Sequence, residues 1–530
     1  MYDIIISGGL IVDGSASKPY PGSVFISDGK IAAVKKAEDC AKLPEAKTVY
    51  DAKGHVIAPG FIDIHTHSDY SYIFDPTMIG NISSGVTFVV SGNCGRSPIP
   101  ADPAAPLKVG GVFAEKHIDR KMFDAYDVNT YGENISRHAT TTNYGALIGH
   151  GSLRNAVIGM EKRDLTKEEM EKMCSLADKM LSQGAFGISL GLIYAPGSFC
   201  KTDELISLAK VVAKHDKVIC VHMRNENDHI FEAIDEMIEI ARKTGCRIEI
   251  SHLKLMGKRQ WGKAAELLAK IDRAKASGIR ITADQYPYTS SSSGIASCFP
   301  VWALDGGFDA LTERCKDDAT WEKMLPELIE KMESRGGAEN ITPGETGAVV
   351  HPEFIGKTLP QIADEMGLPL LDAVRQMTIT CGGQVKCFYN NMSEEDVLAI
   401  MSRPDICTIS DGTTFDIKDY AGAPHPRNIG TFPRFFRLVR ENGLMPLESA
   451  VSRATSLPAS VMGIDDEYGF LKEGYAASIT VFDYENITDK ATYEDGTALS
   501  EGIDLVIVNG QVVFKDGTLT DARPGKLIKR

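Results

Sequence analysis

The sequence predicts an α/β fold: a (β/α)8 TIM-like barrel with a small β-sandwich domain formed from both chain termini and a lid insertion between barrel strands 7 and 8. Three observations predict it. Short apolar runs alternate with amphipathic helices through the middle of the chain, which implies parallel strands joined by crossover helices. Eight such runs fit one barrel at roughly 30 residues per unit. Both chain ends are instead rich in β-forming residues and turns.

At the N-terminus, segments 4–14 and 23–34 are apolar runs broken by Gly and Asp, the pattern of strands and turns. Near the C-terminus, 477–483 reads as one strand. Segment 505–514 reads as two, joined at Asn509-Gly510, a hairpin signal. A β domain is therefore expected from residues 1–57 and 466–530, and the (β/α)8 barrel over 58–465. The barrel strands are expected at 56–64, 86–91, 144–148, 187–190, 218–222, 247–252, 279–284 and 406–411. Helices at 167–183, 230–244 and 264–277 lie between several of them. The seventh and eighth strands stand several barrel units apart. Residues 296–352, with helix-like stretches and Gly-rich joins, are assigned to an insertion there. Such an insertion follows a barrel strand, so it sits over the active-site face and would act as a lid.

The bulk numbers narrow the function. The 530 residues are 43% hydrophobic and 24% charged, an ordinary globular composition with material for a large core. A formal net charge of −15 argues against nucleic acid and anionic membranes as main partners. No apolar stretch reaches membrane-spanning length. The 11 cysteines are odd in number and form no C-x-x-C pair. Cys220, Cys246 and Cys407 fall in apolar runs, where a buried free thiol is expected. The opening Met1-Tyr-Asp-Ile-Ile-Ile-Ser7 lacks the length and basic flank of a signal peptide. A reducing cytoplasm is the expected compartment.

The chemistry lies in six residues: His65, His67, Cys94, His222, His252 and Asp411. His65 and His67 form an H-x-H pair after Pro59-Gly60. Residues i and i+2 of a strand share a face, so both are expected to look into the barrel mouth. Cys94, His222, His252 and Asp411 lie at or just past the ends of other expected strands, where this fold builds its active site. Any one of them alone reads as a packed or capping residue. Their coincidence at one end of several strands points to a metal site. Imidazole and thiolate suit Zn²⁺, with carboxylate as an acceptable ligand.

These residues, with the motifs around them, resemble the D-aminoacylase (N-acyl-D-amino-acid deacylase) family of the amidohydrolase superfamily over nearly the whole chain. The H-x-H is general to the superfamily. More specific is Gly85-Val-Thr-Phe-Val-Val-Ser-Gly-Asn-Cys-Gly95, where a cysteine stands in place of the carboxylated lysine of dihydropyrimidinase-like relatives. Also specific are Gly149-His-Gly-Ser-Leu-Arg154, Gly191-Leu-Ile-Tyr-Ala-Pro-Gly197, Asp284-Gln-Tyr-Pro-Tyr288 and Pro424-His-Pro-Arg-Asn-Ile-Gly-Thr-Phe-Pro433.

The resemblance implies one tight zinc held by Cys94, His222 and His252. It implies a second, weaker site surrounded by His65, His67 and Asp411, with Cys94 able to bridge. It implies substrate roles for Tyr194, Lys254, Tyr286, Ser292 and Arg427. The implied reaction is hydrolysis of the amide of a small N-acyl-D-amino acid, with hydroxide supplied through the metal. Asp411 would shuttle the proton and Tyr194 would donate to the oxyanion. Arg427 has the planar fork that suits a carboxylate. The Ser-rich loop after the seventh strand, which holds Ser292, reads equally as a plain connector. Arg96 and the run Ser290 to Ser293 depart from the family pattern, which bears on side-chain specificity. The alternative enzyme is a cyclic-amide hydrolase of the dihydropyrimidinase or hydantoinase kind. A non-enzymatic scaffold is the remaining class, and it fits poorly with all six ligands being present. Oligomeric state is left open.

Overall fold

The computed structural model describes residues 1–40, 42–101, 125–346, 351–418, 420 and 422–530. At its centre is an eight-stranded parallel sheet. Its strands are β1 (Phe61–Asp63), β2 (Val86–Ser91), β3 (Asn143–Gly149), β4 (Gly187–Gly191), β5 (Val218–His222), β6 (Arg247–Ile250), β7 (Ile281–Gln285) and β8 (Cys407–Thr408). Each pairs in parallel with the next in the chain. The ring closes without a full ladder. Asp411 N donates to His65 O at 2.9 Å, and His67 N donates to Gly412 O at 2.7 Å. Backbone of three candidate metal ligands thus joins the last strand to the first.

β2, β3, β4 and β5 are buried along their whole length. Such strands are covered on both faces, which is why they read as unbroken apolar runs. Helices Lys167–Ser182, Ile230–Thr244 and Ala264–Ala276 pack apolar faces on the ring, for example Ile234, Met237 and Ala241 of the second. Lys167–Ser182 opens on a capping box between Thr166 and Glu169. Ile230–Thr244 stops at Gly245, which takes the left-handed conformation. Among the described residues no helix is long and apolar enough to cross a membrane.

The two chain ends meet in one nine-stranded sheet. Strands Ile503–Val508 and Gln511–Lys515 form the hairpin expected at Asn509-Gly510, with both turn residues at positive φ. Alternate residues serve two cores. Ile57, Ile479, Val481, Leu505 and Ile507 join Ile4, Ile6, Val24 and Ile26 inside the β domain. Val56, Ala58, Phe482, Val506 and Val508 face the barrel core.

The expected strand at 56–64 is two strands. Val56–Pro59 belongs to the terminal sheet, paired with Tyr2–Ile11 and Ile479–Phe482. Only Phe61–Asp63 enters the barrel. Gly60 is the joint between them, where a Cβ would fall 2.2 Å from Thr87 Oγ1.

Between β7 and β8 the chain leaves the barrel. Strands Ser290–Gly294, Ile341–Glu345 and Lys386–Asn390 form a separate antiparallel sheet. Helices Gly307–Lys316, Asp318–Ser334, Leu359–Met366 and Leu370–Thr380 pack with it around Phe299, Trp321, Met324, Ile341 and Met377. The segment 296–352 lies inside this longer excursion. The serine run is a strand, not a connector: Ser291 pairs with Tyr389 and Ser292 with Phe388.

Candidate metal centre and substrate cavity

The six sequence-predicted ligands come together at the C-terminal mouth of the barrel. His222 is the last residue of β5. Cys94, His252 and Asp411 follow β2, β6 and β8 by two or three residues, in left-handed backbone at φ 51°, 39° and 51°. That region is uncommon for residues other than glycine and clusters at functional sites. The Cys94 loop is pressed backbone to backbone on β4. A Cβ on Gly95 would lie 2.6 Å from Gly191 N, and one on Gly191 would lie 2.0 Å from Cys94 O. Glycine at both positions lets the thiol reach the barrel axis.

Cys94 Sγ lies 3.4 Å from His65 Nε2 and 3.6 Å from both His222 Nδ1 and His252 Nε2. Asp411 Oδ1 lies 3.0 Å from His67 Nε2 and 3.5 Å from His65 Nε2. Donor atoms of His65, Cys94, His252 and Asp411 all fall within 4.8 Å of one another, and all four residues are buried. Burial would raise the Cys94 thiol. The charge of His65 and hydrogen bonds from the three imidazoles outweigh that and hold it well below the usual thiol range. Burial opposes ionisation of Asp411 as well, but the Arg427 guanidinium, 2.8 Å from Oδ2, and the His67 hydrogen bond keep it ionised. A thiolate, converging imidazoles and a carboxylate in one buried cluster fit Zn²⁺.

Two supporting carboxylates escaped the sequence reading. Glu226 Oε1 lies 3.0 Å from His252 Nδ1, and Oε2 lies 3.4 Å from His222 Nε2. Each imidazole therefore shows one nitrogen to Cys94 and the other to Glu226. Asp284, in β7, accepts from His252 N and stands 3.5 Å from His65 Nδ1. The only trace of Glu226 in the sequence is its place four residues after His222, in a segment without helical periodicity.

The centre opens into a cavity of 530 Å³ lined by all five expected substrate residues: Tyr194, Lys254, Tyr286, Ser292 and Arg427. Tyr194 follows β4, and its ring meets that of His222 at 5.0 Å. Burial and the nearby Cys94 and Asp411 charges push its hydroxyl far above the usual tyrosine range, so it stays a donor. Lys254 Nζ lies 2.5 Å from Glu226 Oε1. Tyr286 lies beneath the Arg427 guanidinium, 5.0 Å from ring centre to Cζ. Tyr286 Oη, Ser292 Oγ and Arg427 Nε are buried and find no hydrogen-bond partner among the described residues.

The amidohydrolase family model matches residues 48–302 and 399–514. The N-acyl-D-glutamate deacylase of Alcaligenes xylosoxydans xylosoxydans is 33% identical over 533 residues, covering 100% of this chain and 96% of the relative. The solved N-acyl-D-glutamate deacylase from Bordetella bronchiseptica, complexed with zinc and a phosphonate mimic of the tetrahedral intermediate, superposes with a TM-score of 0.83 at 32% identity. It covers 100% of both chains. A D-aminoacylase described with a binuclear metal centre matches at a TM-score of 0.82 and 32% identity, again over 100% of both chains. The chain belongs to the amidohydrolase family, in its D-aminoacylase branch.

Proposed function

We propose that the protein hydrolyses the amide of N-acyl-D-amino acids, releasing a carboxylate and a free D-amino acid. One observation carries this reading. A single cavity joins a buried zinc-type donor set to Lys254, Arg427 and the unmatched Tyr286 and Ser292 hydroxyls. Buried polar atoms without protein partners are costly, and a substrate α-carboxylate would satisfy them.

Cys94, His222 and His252 would hold the tighter zinc. His65, His67 and Asp411 would hold a second, weaker one, with Cys94 able to serve both. When bound, zinc acidifies water and polarises the acyl carbonyl. Asp411 takes the proton of the attacking water and returns it to the leaving amine, a shuttle one carboxylate can perform. Tyr194, held protonated beside His222, donates to the oxygen that gains charge. Arg427, Lys254, Tyr286 and Ser292 fix the α-carboxylate and thereby the hand of the α-carbon. The excursion between β7 and β8, which includes 296–352, forms the cavity roof and shields it from water.

The test is a hydrolysis screen of N-acetyl-D-amino acids, N-acetyl-L-amino acids and cyclic amides with zinc present. Turnover of the D-amides is expected. Activity confined to L-forms or to cyclic amides would overturn the reading.

A further inference from the structure

The cations along the cavity wall are not all paired. Three carboxylates there each have a cationic partner: Asp411 has Arg427 at 2.8 Å, Glu226 has Lys254 at 2.5 Å and Glu345 has Lys386 at 3.1 Å. Asp69 accepts from Gly92 N at 2.7 Å. Arg96 and Arg335 also line the cavity. Arg96 is solvent-exposed, and its guanidinium lies 5.6 Å over the Tyr194 ring. Arg335 is different: it is only 8% exposed.

Arg335 ends the insertion helix Asp318–Ser334. Its guanidinium lies 5.1 Å over the Tyr389 ring, and Nη1 donates to Ser293 Oγ at 3.2 Å. Among the described residues no carboxylate lies within ion-pair distance of it. The other buried arginines have either a carboxylate or two backbone carbonyls. Arg154 has Glu204 at 2.5 Å, Arg427 has Asp411, and Arg453 donates to the carbonyls of Met401 and Arg403. A guanidinium is seldom taken out of water without a counter-charge, because the desolvation cost is several kcal/mol. Here one faces the substrate cavity with one hydroxyl and one ring as partners.

We infer that Arg335 anchors a second carboxylate of the substrate, so that the preferred N-acyl-D-amino acids are dicarboxylates. The inference rests on the deacylase reading above and names its substrate class. The α-carboxylate already has Arg427, Lys254 and Tyr286 from the barrel and Ser292 from the insertion strand. Arg335 bonds Ser293, whose side chain leaves that strand on the face opposite Ser292, so the group it meets is a different part of the substrate. A planar fork beside Ser293 suits a carboxylate gripped by two N–H groups. Its two chemical sources are an acidic side chain, as in N-acetyl-D-glutamate or N-acetyl-D-aspartate, and an acidic acyl group, as in N-succinyl-D-methionine.

The experiment measures kcat/KM of the zinc-loaded enzyme on those three compounds and on the neutral N-acetyl-D-glutamine and N-acetyl-D-methionine. At least one dicarboxylate should exceed its neutral counterpart by about 100-fold, the scale of losing one partner of a buried charge pair. Whichever compound does so identifies the source. In Arg335→Met that advantage should collapse, while N-acetyl-D-methionine turnover stays within a few-fold. Equal losses on all substrates, or a wild-type preference for the neutral ones, overturns the inference. The wild-type comparison decides even where the variant fails to fold. Turnover of none of the five compounds overturns the deacylase reading itself, a different outcome from turnover without preference.

Discussion

Glu226 Oε1 lies 3.0 Å from Nδ1 of His252, on the side of the imidazole turned away from Cys94. A carboxylate in that position can take Nδ1–H, which leaves the Nε2 lone pair on the Cys94 side for a metal; Lys254 Nζ, bonded to the same Glu226 oxygen, lies 2.7 Å from that Nδ1. Its other oxygen lies 3.4 Å from His222 Nε2, which finds no hydrogen-bond partner among the described residues. One buried acid therefore orients His252 and sets a negative charge beside His222. Glu226→Gln should weaken zinc retention by about 10–100-fold, read by titrating the holoenzyme with a chelator. Unchanged retention would show that the imidazoles are held by packing alone.

Asp411 is gripped from both sides, with His67 at 3.0 Å and Arg427 at 2.8 Å on opposite oxygens. Asn keeps the shape and one acceptor oxygen but cannot carry a proton. Turnover by Asp411→Asn should fall by about 10²–10⁴-fold, the usual share of general acid–base catalysis. Zinc at the tighter position should remain. Full activity in that variant would remove Asp411 from the shuttle role.

The candidate ligands are legible in the sequence because each of Cys94, His222, His252 and Asp411 closes an apolar run, and a parallel strand in a barrel must end at its mouth. Glu226 and Arg335 leave no such trace. Glu226 sits in a loop, and what distinguishes Arg335 is the absence of a nearby carboxylate, a property of tertiary packing. The switch from one sheet to another at Gly60 is marked only by the Pro59-Gly60 break inside an apolar run from Val56 to Ile64, which signals a bend and not a change of sheet. Ser290–Gly294 has none of the β-branched or aromatic residues that mark strands, so it looks like a connector until Lys386–Asn390 pairs with it. That partner lies far along the chain, beyond the reach of local periodicity.

A second cluster shows that proximity of ligand types is insufficient. His150, Cys200 and Glu204 also bring donor atoms within 4.8 Å of one another. Burial pushes the Cys200 thiol up to about 12, so it stays protonated, whereas Cys94 is a thiolate. Arg154 already occupies one Glu204 oxygen. Metal binding needs the thiolate. Cys94→Ser should therefore lose bound zinc and activity together, and Cys200→Ser should keep both. Zinc content per chain, measured on the purified variants, decides it. Loss of zinc from the Cys200 variant would make this cluster a second metal site.

Glu204 instead holds structure. It is 7% exposed and accepts from His150 Nε2 at 2.7 Å and Arg154 Nη1 at 2.5 Å. The pair joins the helix after β3 to the helix after β4, either side of the loop that carries Tyr194. Burial alone would raise the carboxyl pKa, but the His150 hydrogen bond and the Arg154 charge outweigh it and leave it below its ordinary 4.5. Glu204→Gln strands a buried guanidinium and should cost about 3 kcal/mol of stability, seen as a lower urea midpoint at neutral pH. Because the folded-state pKa is depressed, this contribution is fully present above 4.5 and is lost as pH falls through the folded value. The gap between wild type and variant should thus be flat from pH 7 to 5 and shrink in stronger acid. A gap that stays constant down to the acid limit would mean that the glutamine is penalised by packing and not by the lost charge.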